Sequence, residues 1–226
     1  MSAVGARRAP AVPEDEASFR YGAVLGIVVA FVVLEVLSPD ANWSRAVGFA
    51  LSGAALSVAV ATSRQRAEVR RVRTFVVGTV ALILVIAIWT GLLGDAGTFV
   101  VGSVVVALIP IALVGGLLRL INDEGVTVQA VAGAIAIYLL IAMLFATAIG
   151  FVAAVDKPYF AQPHVNNGDL VYYSFTVMTT TGFGDYTAAK PIGHALAVLE
   201  MLIGQLYLVT VLGILIGNFA GRRLKK

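Results

Sequence analysis

The chain has 226 residues, of which 59% are hydrophobic and only 13% are charged, whereas an average soluble domain is roughly 25% charged. Its 16 basic and 13 acidic side chains cannot cover a globule of this size, and a mean hydropathy of +0.93 excludes a soluble protein and indicates a lipid environment. The absence of cysteine excludes a disulfide framework and thiol catalysis, two histidines leave little for a metal site, and the net charge is a modest +3.

Apolar runs along the chain predict six membrane-spanning helices. Residues 1–20 contain two prolines and a run of three acidic residues, and we expect them to form a disordered tail. Residues 21–37 would form about 26 Å of helix, which fits a hydrocarbon core of about 30 Å; a cleaved signal peptide is the less favoured alternative. By the same length test the remaining spans are residues 46–63, 75–93, 99–118, 126–155 and 192–220.

The segment between the last two spans, residues 156–191, differs in composition from the rest. It contains several prolines and an Asn-Asn-Gly sequence, followed by residues 169–179, which are apolar but too short to cross a membrane. This pattern predicts a re-entrant helix, with Asn167 or Gly168 as its cap.

The basic residues predict the orientation, because cytoplasmic loops of membrane proteins carry an excess of Lys and Arg. Six crossings place the N-terminal basic residues, the linker after the second span and the C-terminal tail on one side. We therefore expect a multi-pass protein of the plasma membrane with both termini in the cytoplasm. The residues concerned are Arg7, Arg8, Arg20, Arg64, Arg66, Arg70, Arg71, Arg73, Arg222, Arg223, Lys225 and Lys226.

Residues 179–185 read Thr-Thr-Thr-Gly-Phe-Gly-Asp, which makes a poor helix at membrane depth. Glycines at alternate positions permit the positive φ angles that turn successive carbonyls the same way, and a row of carbonyls can replace the water around a cation. This filter segment (residues 179–185) resembles the Thr-Val-Gly-Tyr-Gly-Asp selectivity filter of potassium channels. The resemblance extends over about residues 126–223 and implies an outer helix, a pore helix, the filter and an inner helix.

The resemblance implies a role for each residue of the filter segment. K+ would bind at the hydroxyl and carbonyl of Thr180 and at the carbonyls above it, and Asp185 would lie at the outer mouth. The carbonyls above Thr180 are those of Thr181, Gly182, Phe183 and Gly184. Two residues depart from the family pattern. Thr181 stands where valine is the commonest residue, and Phe183 replaces the usual tyrosine. We expect these changes to loosen the filter and make its potassium preference imperfect, so that restoring valine and tyrosine together would sharpen it.

Four residues outside the filter segment are predicted to support it. The resemblance puts Tyr172 and Tyr173 on the pore helix as bracing aromatics, although both could instead be interfacial aromatics. Glu200 is an acid inside a span, which costs about 2.5–3.5 kcal/mol unless it is paired or neutral. We expect it to have Thr176, Tyr172 or the filter backbone as a partner and to support the filter, with a proton relay as the alternative.

The inner helix supplies the remaining predicted site residues. The resemblance puts Gly204 at its flexible point, and Gln205, Leu208, Leu212 and Ile216 are spaced to line one face toward the permeation path. The same leucines could instead face lipid. Residues 99–118 contain no charged residue, which makes a voltage sensor improbable. The linker arginines Arg64, Arg66, Arg70, Arg71 and Arg73 could bind anionic lipid, although a positive-inside loop explains them equally.

These observations together predict an all-α membrane protein with six transmembrane helices and a re-entrant pore helix and filter loop between helices five and six. The divisions are a tail (1–20), a four-helix domain (21–121) and a pore domain (122–226). We expect a homotetramer in the bilayer that conducts K+ passively, with no enzymatic activity, no cofactor and no nucleic-acid partner. The alternatives are a weakly selective Na+/K+ channel, a cation transporter with a broken helix, and a non-conducting homologue.

Overall fold

A computed structural model of the chain describes residues 14–37, 86 and 95–223. The predicted span at 46–63, the predicted span at 75–93 apart from residue 86, the linker arginines between them and the terminal lysines lie outside the described residues. The described helices are α1 (Glu14–Leu37), α2 (Asp95–Glu124), α3 (Val128–Val155), α4 (Asn167–Met178), α5 (Pro191–Leu206) and α6 (Gly213–Arg223), with a π-helical segment (Tyr207–Leu212) joining the last two. In these residues the only β-type pairing is an isolated bridge between Phe160 and Ala188.

Three helical stretches in the described residues are long and apolar enough to cross a membrane. They are Ala96–Asn122 in α2, Val128–Val155, which is α3, and Pro191–Gly221, which runs from α5 through the π-helical segment into α6. Residues Tyr21–Leu37 form a shorter apolar helix. The chain is therefore a helical membrane protein. The expected tail needs a correction, because α1 begins at Glu14 and includes residues 14–20; acidic residues favour the positive end of a helix, and three of them start this one.

Helix α3 lies at the centre of the packing. It is rich in alanine and glycine, which let its neighbours approach closely, as is usual where helices associate in membranes. Its buried face shares one apolar cluster with α1 and α2, in which Val28, Ile109 and Leu140 are completely buried. A second cluster joins the same helices to α4 through Phe31, Val106, Met143 and Val171.

A turn at Gly125 joins α2 to α3, three residues after the proposed start of the pore domain at residue 122, which lies in the last turn of α2. Gly125 has a φ of 74° and its N–H donates to the Ile121 carbonyl at 2.8 Å, a left-handed ending that suits glycine. Thr127 then caps α3, its hydroxyl accepting from the Ala130 N–H at 3.3 Å.

Candidate functional site

The short helix α4 leads directly into the filter segment. Its 12 residues are too few to cross a membrane, as predicted from the sequence. Its N-terminus is fixed by a capping box, in which the Asn166 side chain accepts from the Asp169 N–H and the Asp169 carboxylate accepts from the Asn166 N–H, both at 2.9 Å. The cap is thus Asn166, one residue before the two positions that the sequence analysis considered.

The backbone of the filter segment alternates in handedness. Positive φ angles occur at Thr180 (57°), Gly182 (53°) and Gly184 (79°). Two of these positions are the glycines that the sequence analysis singled out, whereas a β-branched residue rarely adopts this conformation. Thr180 therefore stores backbone strain on the order of 1–3 kcal/mol, which the surrounding contacts must hold in place.

The amide groups of the filter segment bind to the end of α4. The N–H of Thr180 donates to the Val177 carbonyl at 2.9 Å, and the N–H groups of Thr181 and Gly182 both donate to the Thr176 carbonyl, at 2.9 and 3.1 Å. A trans peptide points its N–H and C=O in opposite directions. The three carbonyls preceding these amides, those of residues 179, 180 and 181, therefore point away from α4 in a row.

The threonine hydroxyls of the filter segment are also bonded. Thr179 Oγ1 donates to the Phe175 carbonyl at 2.7 Å, so the 2.8 Å contact between Thr179 and Thr181 must be donated by Thr181, because each hydroxyl has one proton. On the other side, Gln205 of α5 donates to Thr180 Oγ1 at 3.1 Å. The Thr181 hydroxyl, which the sequence analysis expected to loosen the filter, thus has a defined partner.

Tyr172 contacts the outer end of the filter segment. Its ring stacks on Phe183 with a centroid separation of 6.3 Å and an interplanar angle of 4°. A hydrogen bond to the Asp185 carboxylate raises the pKa of the Tyr172 phenol. Tyr173, by contrast, is buried and packs edge-on against Phe160 at 5.0 Å, so of the two predicted bracing tyrosines only Tyr172 stacks on the filter segment.

A cavity of about 340 Å³ lies behind the filter segment. Tyr173 and Thr176 line it from α4, and Gly182 and Gly184 line it from the filter side. Thr176 contacts the filter segment through its backbone carbonyl, while its hydroxyl donates to the Tyr173 carbonyl at 2.8 Å. Thr176 therefore contacts the filter segment through its main chain and not through its side chain.

A comparison with protein-family models matches residues 133–220 to a family described as Ion channel. The matched segment contains most of α3, all of α4, the filter segment, α5 and most of α6. The match supports an ion channel, and residues 133–220 are the part of the chain that is similar to this family. The resemblance to the potassium-channel pore family is thereby confirmed for this part of the chain. Comparisons with curated proteins and with solved structures gave no match.

The buried acid of the channel, Glu200, has a partner that the sequence did not indicate. Its side chain is completely buried, and its Oε1 makes a short hydrogen bond with Ser174 Oγ of α4. Neither Thr176 nor Tyr172, the side chains first considered, is that partner. A serine 26 residues away gives no sequence signal of this pairing, since serine satisfies its own hydroxyl in many helices.

The inner helix of the channel differs from the predicted register below Gln205. Leu212 is buried in the cluster that includes Val24, Ile109 and Leu140, and Leu208 packs against the same cluster, so we correct their assignment to the permeation path. The π-helical segment gives the physical reason. Both leucines lie within this segment, whose hydrogen bonds reach the fifth preceding residue, so the spacing of 3.6 residues per turn on which the predicted face depends does not hold there.

Gly204 of the channel lies where α5 meets the end of the pore helix. It is buried and helical, and a Cβ at this position would lie 2.4 Å from the Met178 carbonyl oxygen. The irregular backbone of the inner helix begins three residues later, at Tyr207. The structure thus shows that glycine is needed at this position because the two helices approach each other closely.

Proposed function

We propose that the chain is one subunit of a homotetrameric potassium-selective channel of the plasma membrane, with α4 as a re-entrant pore helix and the filter segment as the ion-binding site. The observation that carries this proposal is the row of carbonyls that faces away from α4. K+ would bind at Thr180, Thr181, Gly182, Phe183 and Gly184, with Asp185 at the outer mouth. Four copies are needed, because one chain contributes one filter segment and a ring of carbonyls surrounds the ion.

The exposed surface of the inner helix supports assembly. In the single chain, Leu202, Leu206, Val209 and Ile214 of the inner helix are each more than half exposed, and Phe183 is 69% exposed. Exposing such an apolar surface to water is unfavourable, and a tetramer in a bilayer would cover it with other subunits and lipid. We propose cytoplasmic termini, and anionic lipid at the linker arginines, on the charge pattern alone.

The experiment is a planar-bilayer recording of the purified full chain with K+ on one side and Na+ on the other. We expect unitary currents that reverse near the potassium equilibrium potential. Gly182→Ala should lose conduction or selectivity because alanine disfavours a φ of 53°, although none of the described residues lies within 4 Å of the added Cβ. Gly217→Ala is the matched control, since its Cβ also meets open space but within a helix.

The alternatives predict different results in the same recording. Reversal near zero would indicate a weakly selective cation channel, for which the replacement of the usual tyrosine by Phe183 is the supporting feature. Saturable ion flux without unitary currents would indicate a transporter. A native mass corresponding to one or two chains would refute the tetramer.

A further inference from the structure

Ser174 has a completely buried hydroxyl that lies between oxygen atoms of two other helices. Its Oγ lies 2.7 Å from the Ala142 carbonyl oxygen of α3 and in short contact with Glu200 Oε1 of α5. A serine hydroxyl has one proton, and a carbonyl can only accept. We infer that Glu200 is a neutral carboxylic acid whose proton is donated to Ser174, which in turn donates to Ala142.

An ionised Glu200 does not fit the same contacts. It would accept the single hydrogen bond that the Ser174 hydroxyl can donate and leave two oxygens, Ser174 Oγ and Ala142 O, at 2.7 Å with no hydrogen between them. A carboxylate also has about four acceptor positions, yet Glu200 Oε2 is buried without a partner among the described residues. A neutral acid needs fewer donors, and leaving its second oxygen unpaired costs less than leaving a charge unpaired.

The groups that face Glu200 offer no compensating positive charge. From α3 the facing titratable group is the phenol of Tyr138, from α4 that of Tyr173, and from the segment between these helices that of Tyr159. None of these is cationic, and in the part of the chain that the structure describes Glu200 has no ion pair. The environment of Glu200 therefore favours the neutral carboxylic acid, which can donate a hydrogen bond.

The hydrogen-bond chain joins the inner helix, the pore helix and the outer helix at one point. Ser174 lies two residues before Thr176, whose carbonyl receives two N–H groups of the filter segment. Glu200 is accordingly a positioning residue, because it holds α4 and does not contact the filter segment through any of its hydrogen bonds. Its effect on conduction rests on the function proposed above, whereas its protonation state does not.

The test uses the purified full chain and four variants. Infrared spectra at neutral pH should contain the C=O band of a buried protonated carboxyl group, and Glu200→Gln should abolish this band. Glu35→Gln, which changes the acid in the first apolar helix, should leave the band in place. A wild-type protein without the band, or a band that survives Glu200→Gln, would overturn the inference.

Measurements of stability and current distinguish a neutral hydrogen-bond donor at position 200 from a charged carboxylate. The Gln side chain keeps an N–H donor for Ser174, so Glu200→Gln should retain thermal stability and potassium preference. Glu200→Ala and Ser174→Ala interrupt the hydrogen-bond chain between Glu200, Ser174 and Ala142, and both should lower the selective current by about tenfold or more. Equal losses in Glu200→Gln and Glu200→Ala would refute the neutral donor. A wild-type protein with the band but no selective current would contradict the proposed function and leave the protonation state standing.

Discussion

Replacing Gly204 by alanine tests whether this glycine serves packing or bending. The residue is buried in α5 beneath Met178, the last residue of the pore helix. An added Cβ would lie 2.4 Å from the Met178 carbonyl oxygen and 3.0 Å from its sulfur. The nearer obstacle is backbone, and that carbonyl also accepts a hydrogen bond from the Tyr138 hydroxyl at 3.3 Å, so it has little freedom to move.

The size of the effect follows from these distances. Real Cβ contacts are essentially never shorter than 3.0 Å, so α5 and α4 must separate by at least 0.6 Å, the difference between 3.0 and 2.4 Å. Overpacking of this kind typically costs about 1–3 kcal/mol, and every subunit of the assembly would bear it. Because Met178 immediately precedes the filter segment, the displacement should reach Thr179 and Thr180.

The assay compares Gly204→Ala with Gly217→Ala by thermal unfolding and by the potassium-to-sodium permeability ratio. Both changes raise helix propensity by about 0.5–1 kcal/mol, so the difference between them isolates the steric clash. We expect Gly204→Ala to lower the unfolding midpoint and the permeability ratio, and Gly217→Ala to lower neither. If Gly204→Ala kept both and altered only the open probability, Gly204 would act as a hinge and the packing argument would be refuted.

Three further predictions concern the filter and the response to voltage. Thr181→Val removes the hydrogen bond to Thr179, about 0.5–1.5 kcal/mol per subunit, so reversal potentials should show a lower potassium preference, the opposite of what the sequence alone predicts; a higher preference would restore that expectation and mean that the hydroxyl competes with the ion. Tyr172→Phe removes the hydrogen bond to the Asp185 carboxylate and should therefore shorten sustained currents. In the wild type this hydrogen bond raises the pKa of the Tyr172 phenol, so its stabilisation should persist at neutral pH and be lost as the pH rises above the ordinary pKa of 10.0. Open probability should change little with voltage, because residues 99–118 carry no charge and one charge crossing the field supplies about 2.3 kcal/mol per 100 mV; steep activation would contradict this.

The filter segment could be predicted from the sequence because its conformation depends mainly on local chemistry. Alternating glycines allow positive φ at Gly182 and Gly184, and both angles are found. The left-handed Thr180 was not predictable in this way, since threonine disfavours that conformation and tertiary contacts impose it. Its hydroxyl accepts from Gln205, which lies on another helix and whose position a local pattern cannot specify.

The inner-helix register was not predictable for a different reason. An extrapolation with 3.6 residues per turn puts Gln205, Leu208 and Leu212 on one face, but it assumes an uninterrupted α-helix. The π-helical segment breaks that assumption, and nothing in the run Tyr-Leu-Val-Thr-Val-Leu marks it as irregular. Similarly, the cost of burying Glu200 predicted that a partner exists, but only the fold identifies Ser174.

The helices that precede the matched channel segment take part in holding the pore helix. The capping region of α4 packs against the end of α1 so closely that a Cβ on Gly168 would lie 2.7 Å from the Val36 carbonyl oxygen. Further along α4, Val171 shares an apolar cluster with Phe31 of α1. The pore helix is therefore fixed by α1 near its start, by Ala142 through Ser174 in its middle, and by α5 at its end. A displacement of α1 would reach the filter segment through α4, because the N–H groups of residues 180–182 all bind to the carbonyls at the end of that helix.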